Sequence, residues 1–126
     1  MDKKKILIVD DDPDLVKGLR VRLEASGYAT AFATNAASAV DAALREQPDV
    51  ILLDMGLPDG TGFVVMKRFE QTDSLAGIPV IFLTGRPPHV YKDPALIAGA
   101  KEFLQKPIDN SELLHAIQRA LAESNA

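Results

Sequence analysis

Ile6-Leu7-Ile8-Val9-Asp10-Asp11-Asp12-Pro13 sets four consecutive apolar residues against three acids and a proline, and Val50-Ile51-Leu52-Leu53-Asp54 repeats the pattern. A strand with one wet face alternates apolar and polar residues. A run that is apolar throughout belongs to a parallel strand covered on both sides. Both runs end in aspartate, so the reading places acids at the carboxyl ends of buried parallel strands. Three further strand candidates follow: Tyr28 to Ala33, Val80 to Leu83, and Phe103 to Leu104.

Helical patterns lie between them. Asp12 as N-cap with Pro13 at the first helical position predicts a helix that turns Leu15, Val16, Leu19 and Leu23 inward and stops at Gly27. Ala36, Ala39, Val40, Ala43 and Leu44 form one stripe of a second helix, with Thr34 or Asn35 as cap and Pro48 past its end. A third helix is predicted from Thr61 to Glu70. A last one runs from Asn110 to Glu123, opened by Asp109 with Glu112 three residues on. The fourth is weak: Gly85, Pro87 and Pro88 oppose helix, and Asp93-Pro94 leaves little room before Gly99. Five βα units predict an α/β, flavodoxin-like doubly wound fold. Its five-stranded parallel sheet has order 2-1-3-4-5 with helices on both faces.

Composition narrows the function. The chain has 126 residues, 14 Lys+Arg against 18 Asp+Glu, a net charge of −4 and no cysteine. One domain of this size buries roughly two-thirds of its unfolded surface without a disulfide or structural metal, which suits a reducing cytoplasm. Met1 to Lys5 is basic, but the four apolar residues after it are too few for a signal peptide or a membrane span. An acidic chain is a poor partner for nucleic acid, whose non-specific binding rests on Lys and Arg neutralising phosphates. Residues 1–126 are expected to form a single domain, with no output domain after Ala126.

In open α/β sheets, ligands sit outside the carboxyl ends of the strands. The residues there are Asp10, Asp11 and Asp12, then Asp54, Thr84 and Lys106. Asp12 is accounted for as a helix cap. Carboxylates about 4 Å apart repel by about 4 kcal/mol at an effective dielectric near 20, so Asp10, Asp11 and Asp54 need a cation, an ammonium or a proton. A set of hard oxygen ligands without His or Cys suits Mg²⁺. Lys106 adds a fixed positive charge and Thr84 a hydroxyl donor. A carboxylate nucleophile, a divalent metal, a lysine and a hydroxyl are what an aspartyl phosphate requires to form and break.

At these residues the chain resembles the receiver domain of two-component response regulators. The segments that carry the resemblance are Ile6 to Asp12, Asp54-Met-Gly-Leu-Pro-Asp-Gly-Thr-Gly62, Pro79-Val-Ile-Phe-Leu-Thr-Gly85 and Gly99-Ala-Lys-Glu-Phe-Leu-Gln-Lys-Pro107. Each is weak alone; together, in order and at strand ends, they are specific. The resemblance implies a phosphoacceptor Asp54 and a Mg²⁺ ion held by Asp10, Asp11, Asp54 and the Gly56 carbonyl, with Asp10 acting through a bound water. It further implies that Thr84 and Lys106 contact the phosphoryl oxygens, that Phe103 is an aromatic switch answering to Thr84, and that Lys106-Pro107 is cis. The partners implied are a sensor histidine kinase or histidine phosphotransfer protein, and a downstream effector or output domain. Such a domain is a signalling switch and not an enzyme in the ordinary sense, catalysing only its own phosphorylation and dephosphorylation.

Other readings use the same residues. Asp10-x-Asp12 also resembles the nucleophile pair of haloacid-dehalogenase-like phosphatases, against which stand Pro13 and the missing cap domain. Flavin binding requires a Ser/Thr/Gly phosphate loop where three acids stand. A pseudo-receiver that only binds proteins would not need the full residue set. His89 and His115 lack ligand neighbours and are expected at the surface, while Asp59, Gly60, Thr61 and Gly62 are expected to serve the turn and the third helix cap. Gly56 contributes no side chain over the site, Arg86 stands near it, and Pro87-Pro88 alters the segment through which many receivers signal.

Overall fold

The computed structural model describes residues 3–85 and 99–124. In chain order the elements are β1 (Lys5–Val9), α1 (Pro13–Ala25), β2 (Ala29–Ala33), α2 (Ala36–Glu46), β3 (Val50–Asp54), β4 (Gly56–Leu57), β5 (Gly60–Thr61), α3 (Gly62–Glu70), β6 (Val80–Thr84), β7 (Glu102–Gln105) and α4 (Asn110–Ser124). Strands β2-β1-β3-β6-β7 form one parallel sheet, while β4 and β5 make a separate two-residue antiparallel hairpin. With that hairpin set aside, the sheet has the expected order 2-1-3-4-5. The weak fourth helix, with Arg86, Pro87, Pro88 and His89, lies outside the described residues.

Alternate residues of each central strand enter opposite cores. Leu7, Val9, Ile51, Leu53, Val80 and Phe82 pack with α2 and α3. Ile6, Ile8, Val50, Leu52, Ile81 and Leu83 pack with α1 and α4. All twelve are at most 1% exposed, which is why these strands read as unbroken apolar runs.

The helix ends follow local chemistry. Asp12 Oδ1 accepts from the N–H groups of Asp14 and Leu15 at 3.0 and 3.2 Å ahead of Pro13, and α1 ends where Gly27 takes φ +91°, a backbone state that costs glycine nothing. Asn35, not Thr34, caps α2 through the Ser38 N–H at 2.8 Å. Thr61 caps α3, and Asp109 Oδ2 accepts from Glu112 N–H at 2.9 Å to open α4. One stripe assignment fails: Leu44 is 42% exposed and Ala42 is buried in its place. The helix turns its smaller residue to the sheet, and the leucine at its edge projects past the contact.

Candidate functional site

Register brings the acids together. Val9 pairs with Leu53, so the next residues, Asp10 and Asp54, stand side by side on strands about 4.8 Å apart. On the other flank Asp54 is in register with Leu83, and Lys106 N–H donates to the Thr84 carbonyl at 2.6 Å. The sheet therefore carries Asp54, Thr84 and Lys106 on adjoining strand ends. Lys106-Pro107 is cis, as the resemblance implied.

Asp10, Asp11 and Asp54 each offer a carboxylate oxygen, and these oxygens all lie within 4.8 Å of one another. Asp10 is fully buried and Asp54 only 6% exposed, whereas Asp11 is open to solvent. Lys106 Nζ donates to Asp10 Oδ2 at 2.7 Å and stands 3.4 Å from Asp54 Oδ1. The other oxygen of Asp10 accepts the Asp12 N–H at 2.9 Å. Both Asp10 oxygens are thus engaged within the protein.

Burial, and then the charge of Asp10, push the Asp54 carboxyl above the ordinary aspartate range; Lys106 and the Gly56 N–H pull it back in part. Desolvation alone would lower the Lys106 ammonium, but its bond to Asp10 and the charges of Asp54 and Asp10 outweigh this and hold it above the usual lysine value. One ammonium faces three acids. The cluster is short of positive charge, and its donors are hard oxygens. Oxygens around a six-coordinate Mg²⁺ at about 2.1 Å lie about 3 to 4.2 Å apart, which these three reach with little movement.

In front of the cluster is a recess of about 460 Å³ lined by Asp54, Met55, Gly56, Thr61, Thr84, Gly85 and Lys106. A methyl group added at Gly56 would meet nothing within 4 Å, so this wall of the recess is open. The recess floor is fixed from behind. Met55 N–H donates to the Leu83 carbonyl at 3.0 Å, and Gly62 N–H to the Met55 carbonyl at 2.9 Å. Gly62 lies so close that a Cβ there would stand 2.8 Å from the Asp54 carbonyl oxygen and 3.1 Å from Met55 Cα.

A profile described as the response regulator receiver domain matches residues 6–118. The chain belongs to that receiver domain family. The transcriptional regulatory protein KdpE of Mycobacterium tuberculosis is 35% identical over 121 residues, which are 96% of this chain and 52% of KdpE. The chain therefore spans about half the length of KdpE and of the other transcriptional regulators it matches. Protein PilH of Pseudomonas aeruginosa is 35% identical over 118 residues, 94% of this chain and 98% of PilH. Among solved structures, a CheY-like receiver domain protein from Methanospirillum hungatei superimposes with a TM-score of 0.89 at 29% identity, covering 98% of each chain. Vibrio cholerae CheY4 gives 0.88 at 28% identity, covering 95% of this chain and all of that one.

In this receiver domain the residues expected at the site converge: Asp10, Asp11, Asp54, Gly56, Thr84 and Lys106 all border the cluster or its recess. Thr84 is 2% exposed. Phe103 is in register with Phe82 one strand away, half-buried against the α2 and α3 core and apart from the recess lining. His115 is exposed. Asp59 lies in the turn and Thr61 caps α3, as expected, but the Asp59 carboxylate also does something unforeseen: it reaches across to α2 and accepts from Ala36 N–H at 2.6 Å and Ala37 N–H at 3.0 Å. The sequence holds no signal for this, because the partners are 23 and 22 residues apart and neither is polar in its side chain. Gly62 was legible as part of the turn, the third helix cap and the segment that carries the resemblance, while its packing against Asp54 emerges only in the folded chain. No helix among the described residues is long and apolar enough to cross a membrane.

Proposed function

We propose that this receiver domain accepts a phosphoryl group on Asp54 from a phosphohistidine of a sensor kinase or phosphotransfer protein, and that the change alters its affinity for a downstream partner. The observation that carries the reading is the three-carboxylate cluster within 4.8 Å, with Lys106 bridging Asp10 and Asp54 beside an open recess. The whole chain, 1–126, is read as one receiver unit.

In the proposed reaction an Asp54 carboxylate oxygen attacks the phosphorus. The new O–P bond forms as the P–N bond to the donor imidazole breaks, and the imidazole leaves with its proton. Lys106 is already within reach of Asp54, so a modest swing from Asp10 sets its ammonium against the phosphoryl oxygens. The Thr84 hydroxyl, on the neighbouring strand end, donates to another of them. Asp11, Asp54 and the Gly56 carbonyl would hold Mg²⁺, with Asp10, whose Oδ1 accepts the Asp12 N–H, acting through a water. When bound, the ion supplies charge neutralisation and orientation for the incoming phosphoryl group. As Thr84 is drawn to the phosphoryl group, Phe103 turns further inward and carries the change to the outer face of β7.

Incubation with phosphoramidate and Mg²⁺, followed by intact mass and peptide mapping, tests this. One phosphoryl group on Asp54 is expected, absent from Asp54→Asn and without magnesium. Uptake elsewhere, or none at millimolar Mg²⁺, refutes it. Turnover of a small phosphomonoester retained by Asp54→Asn would favour the phosphatase chemistry of Asp10-x-Asp12.

A further inference from the structure

The hairpin that follows Asp54 is held at both ends. At its base, Met55 bonds to Leu83 and Gly62; at its tip, the Asp59 carboxylate takes the first two N–H groups of α2. Asn35, the cap of α2 itself, takes only the third, from Ser38. The helix start is thus divided between two side chains, one local and one sent from the phosphoacceptor loop. The pairing is close: a Cβ at Gly60 would lie 3.4 Å from the Ala36 Cβ, so the tip rests on the first residue of α2. Those two N–H bonds also hold the Asp59 carboxyl below its ordinary range.

Across the hairpin, Gly56 pairs with Thr61 and Leu57 with Gly60. Gly56 carries the N–H that bonds the Asp54 carboxylate and the carbonyl assigned to the cation in the reading above, on which this inference rests. Glycine imposes little restraint on its own backbone. With Met55 held at the base by Leu83 and Gly62, the Asp59 bonds at the tip are the hairpin's second anchor, and the two together set where the Gly56 carbonyl stands. We infer that Asp59 is a positioning residue of the metal and phosphoacceptor site, tying the hairpin to the start of α2 so that the Gly56 carbonyl faces the cation.

The test compares Asp59→Ala, Asp59→Asn and Asn35→Ala, each in the 126-residue chain, with the parent chain. Titration calorimetry gives the Mg²⁺ dissociation constant, and phosphoramidate labelling gives the phosphorylation rate across Mg²⁺ concentrations. Asp59→Ala is expected to weaken Mg²⁺ about tenfold, the low end of the range for residues that orient metal ligands, while its rate at saturating Mg²⁺ stays within about twofold. Asp59→Asn keeps one acceptor oxygen and is expected to lose only about threefold. Asn35→Ala removes the Ser38 N–H acceptor at the same helix end and leaves both acceptor oxygens of Asp59 in place. It should lower the melting temperature yet keep the parent Mg²⁺ affinity, which separates positioning from simple capping. An Asp59→Ala protein that binds Mg²⁺ like the parent overturns the inference, as does an Asn35→Ala protein that loses as much. If Asp59→Ala does not fold, the contrast between Asp59→Asn and Asn35→Ala decides it in the same terms. A parent chain that takes up no Mg²⁺ removes the site reading and this inference together, whereas a binding parent with an indifferent Asp59→Ala removes this inference alone.

Discussion

Replacing Asp54 with Asn should stabilise the metal-free protein, and the geometry sets the size. Unit charges 4.8 Å apart repel by about 3.5 kcal/mol at an effective dielectric near 20, and Asp54 faces two carboxylates within that range, giving about 7 kcal/mol. Its attraction to Lys106 at 3.4 Å returns about 5 kcal/mol on the same scale. The difference, about 2 kcal/mol against the charged form, is reduced because Asp11 is exposed and increased because Asp54 is buried. At roughly 3 °C per kcal/mol for a domain of this length, Asp54→Asn is expected to melt about 6 °C higher in EDTA.

The pH dependence has a definite sign. Asp54 titrates above its ordinary value of 3.8, so the folded state binds the proton more tightly than the unfolded one, and its penalty grows as pH rises through that window. The advantage of Asp54→Asn should accordingly shrink toward pH 4 and be full near neutrality. Added Mg²⁺ should raise the parent by mass action more than the variant, narrowing the gap. Thermal melts by circular dichroism at several pH values, with EDTA and with 10-fold steps of Mg²⁺, read all three effects. A lower melting temperature for Asp54→Asn in EDTA near neutral pH would mean that Lys106 already neutralises the cluster, and the case for a cation would fall.

Lys106→Ala leaves the fully buried Asp10 without its ammonium and should cost about 3 to 5 kcal/mol in denaturant unfolding, partly recovered by Mg²⁺, with phosphorylation lost. Gly62→Ala drives a Cβ to 2.8 Å from the Asp54 carbonyl oxygen, a backbone atom that cannot yield cheaply; a loss of about 1 to 3 kcal/mol and slower phosphorylation are expected. Gly56→Asn meets open space and should leave the unfolding midpoint unchanged, but it shields the recess; the phosphorylated form should lose its label more slowly in a chase by mass spectrometry. Gly18→Ala within α1 also adds its methyl to open space and should stabilise by about 0.5 to 1 kcal/mol in the same unfolding assay.

What the sequence made legible, and what it did not, divides along the range of the interactions. The sheet was readable because burial on both faces forces strands such as Ile6 to Val9 and Val50 to Leu53 to be apolar at every position. The acids that interrupt those runs then had to lie at one edge, and parallel register brought Asp10 beside Asp54 without any further information. Caps at Asp12, Asn35 and Asp109 were readable because donor and acceptor are two or three residues apart. Leu44 misled because a stripe marks a helix face but does not say how far that face reaches beyond the sheet.

The distant contact of Asp59 was missed for a different reason. Its bonds run to backbone N–H groups of a helix 22 and 23 residues earlier, and backbone groups leave no mark in a sequence. A turn aspartate before glycine reads as local chemistry, and only the crossing of the hairpin over the start of α2 gives it a distant partner. The same logic governs Gly62, whose missing side chain is demanded by the Asp54 backbone and not by its own turn. Residues that react are thus recoverable from type and strand position, because chemistry restricts which side chains can serve. Residues that hold the reacting loop in place act through backbone atoms and empty space. Their assignment needs the fold, and the Mg²⁺ affinity of Asp59→Ala measures whether that holding reaches the cation.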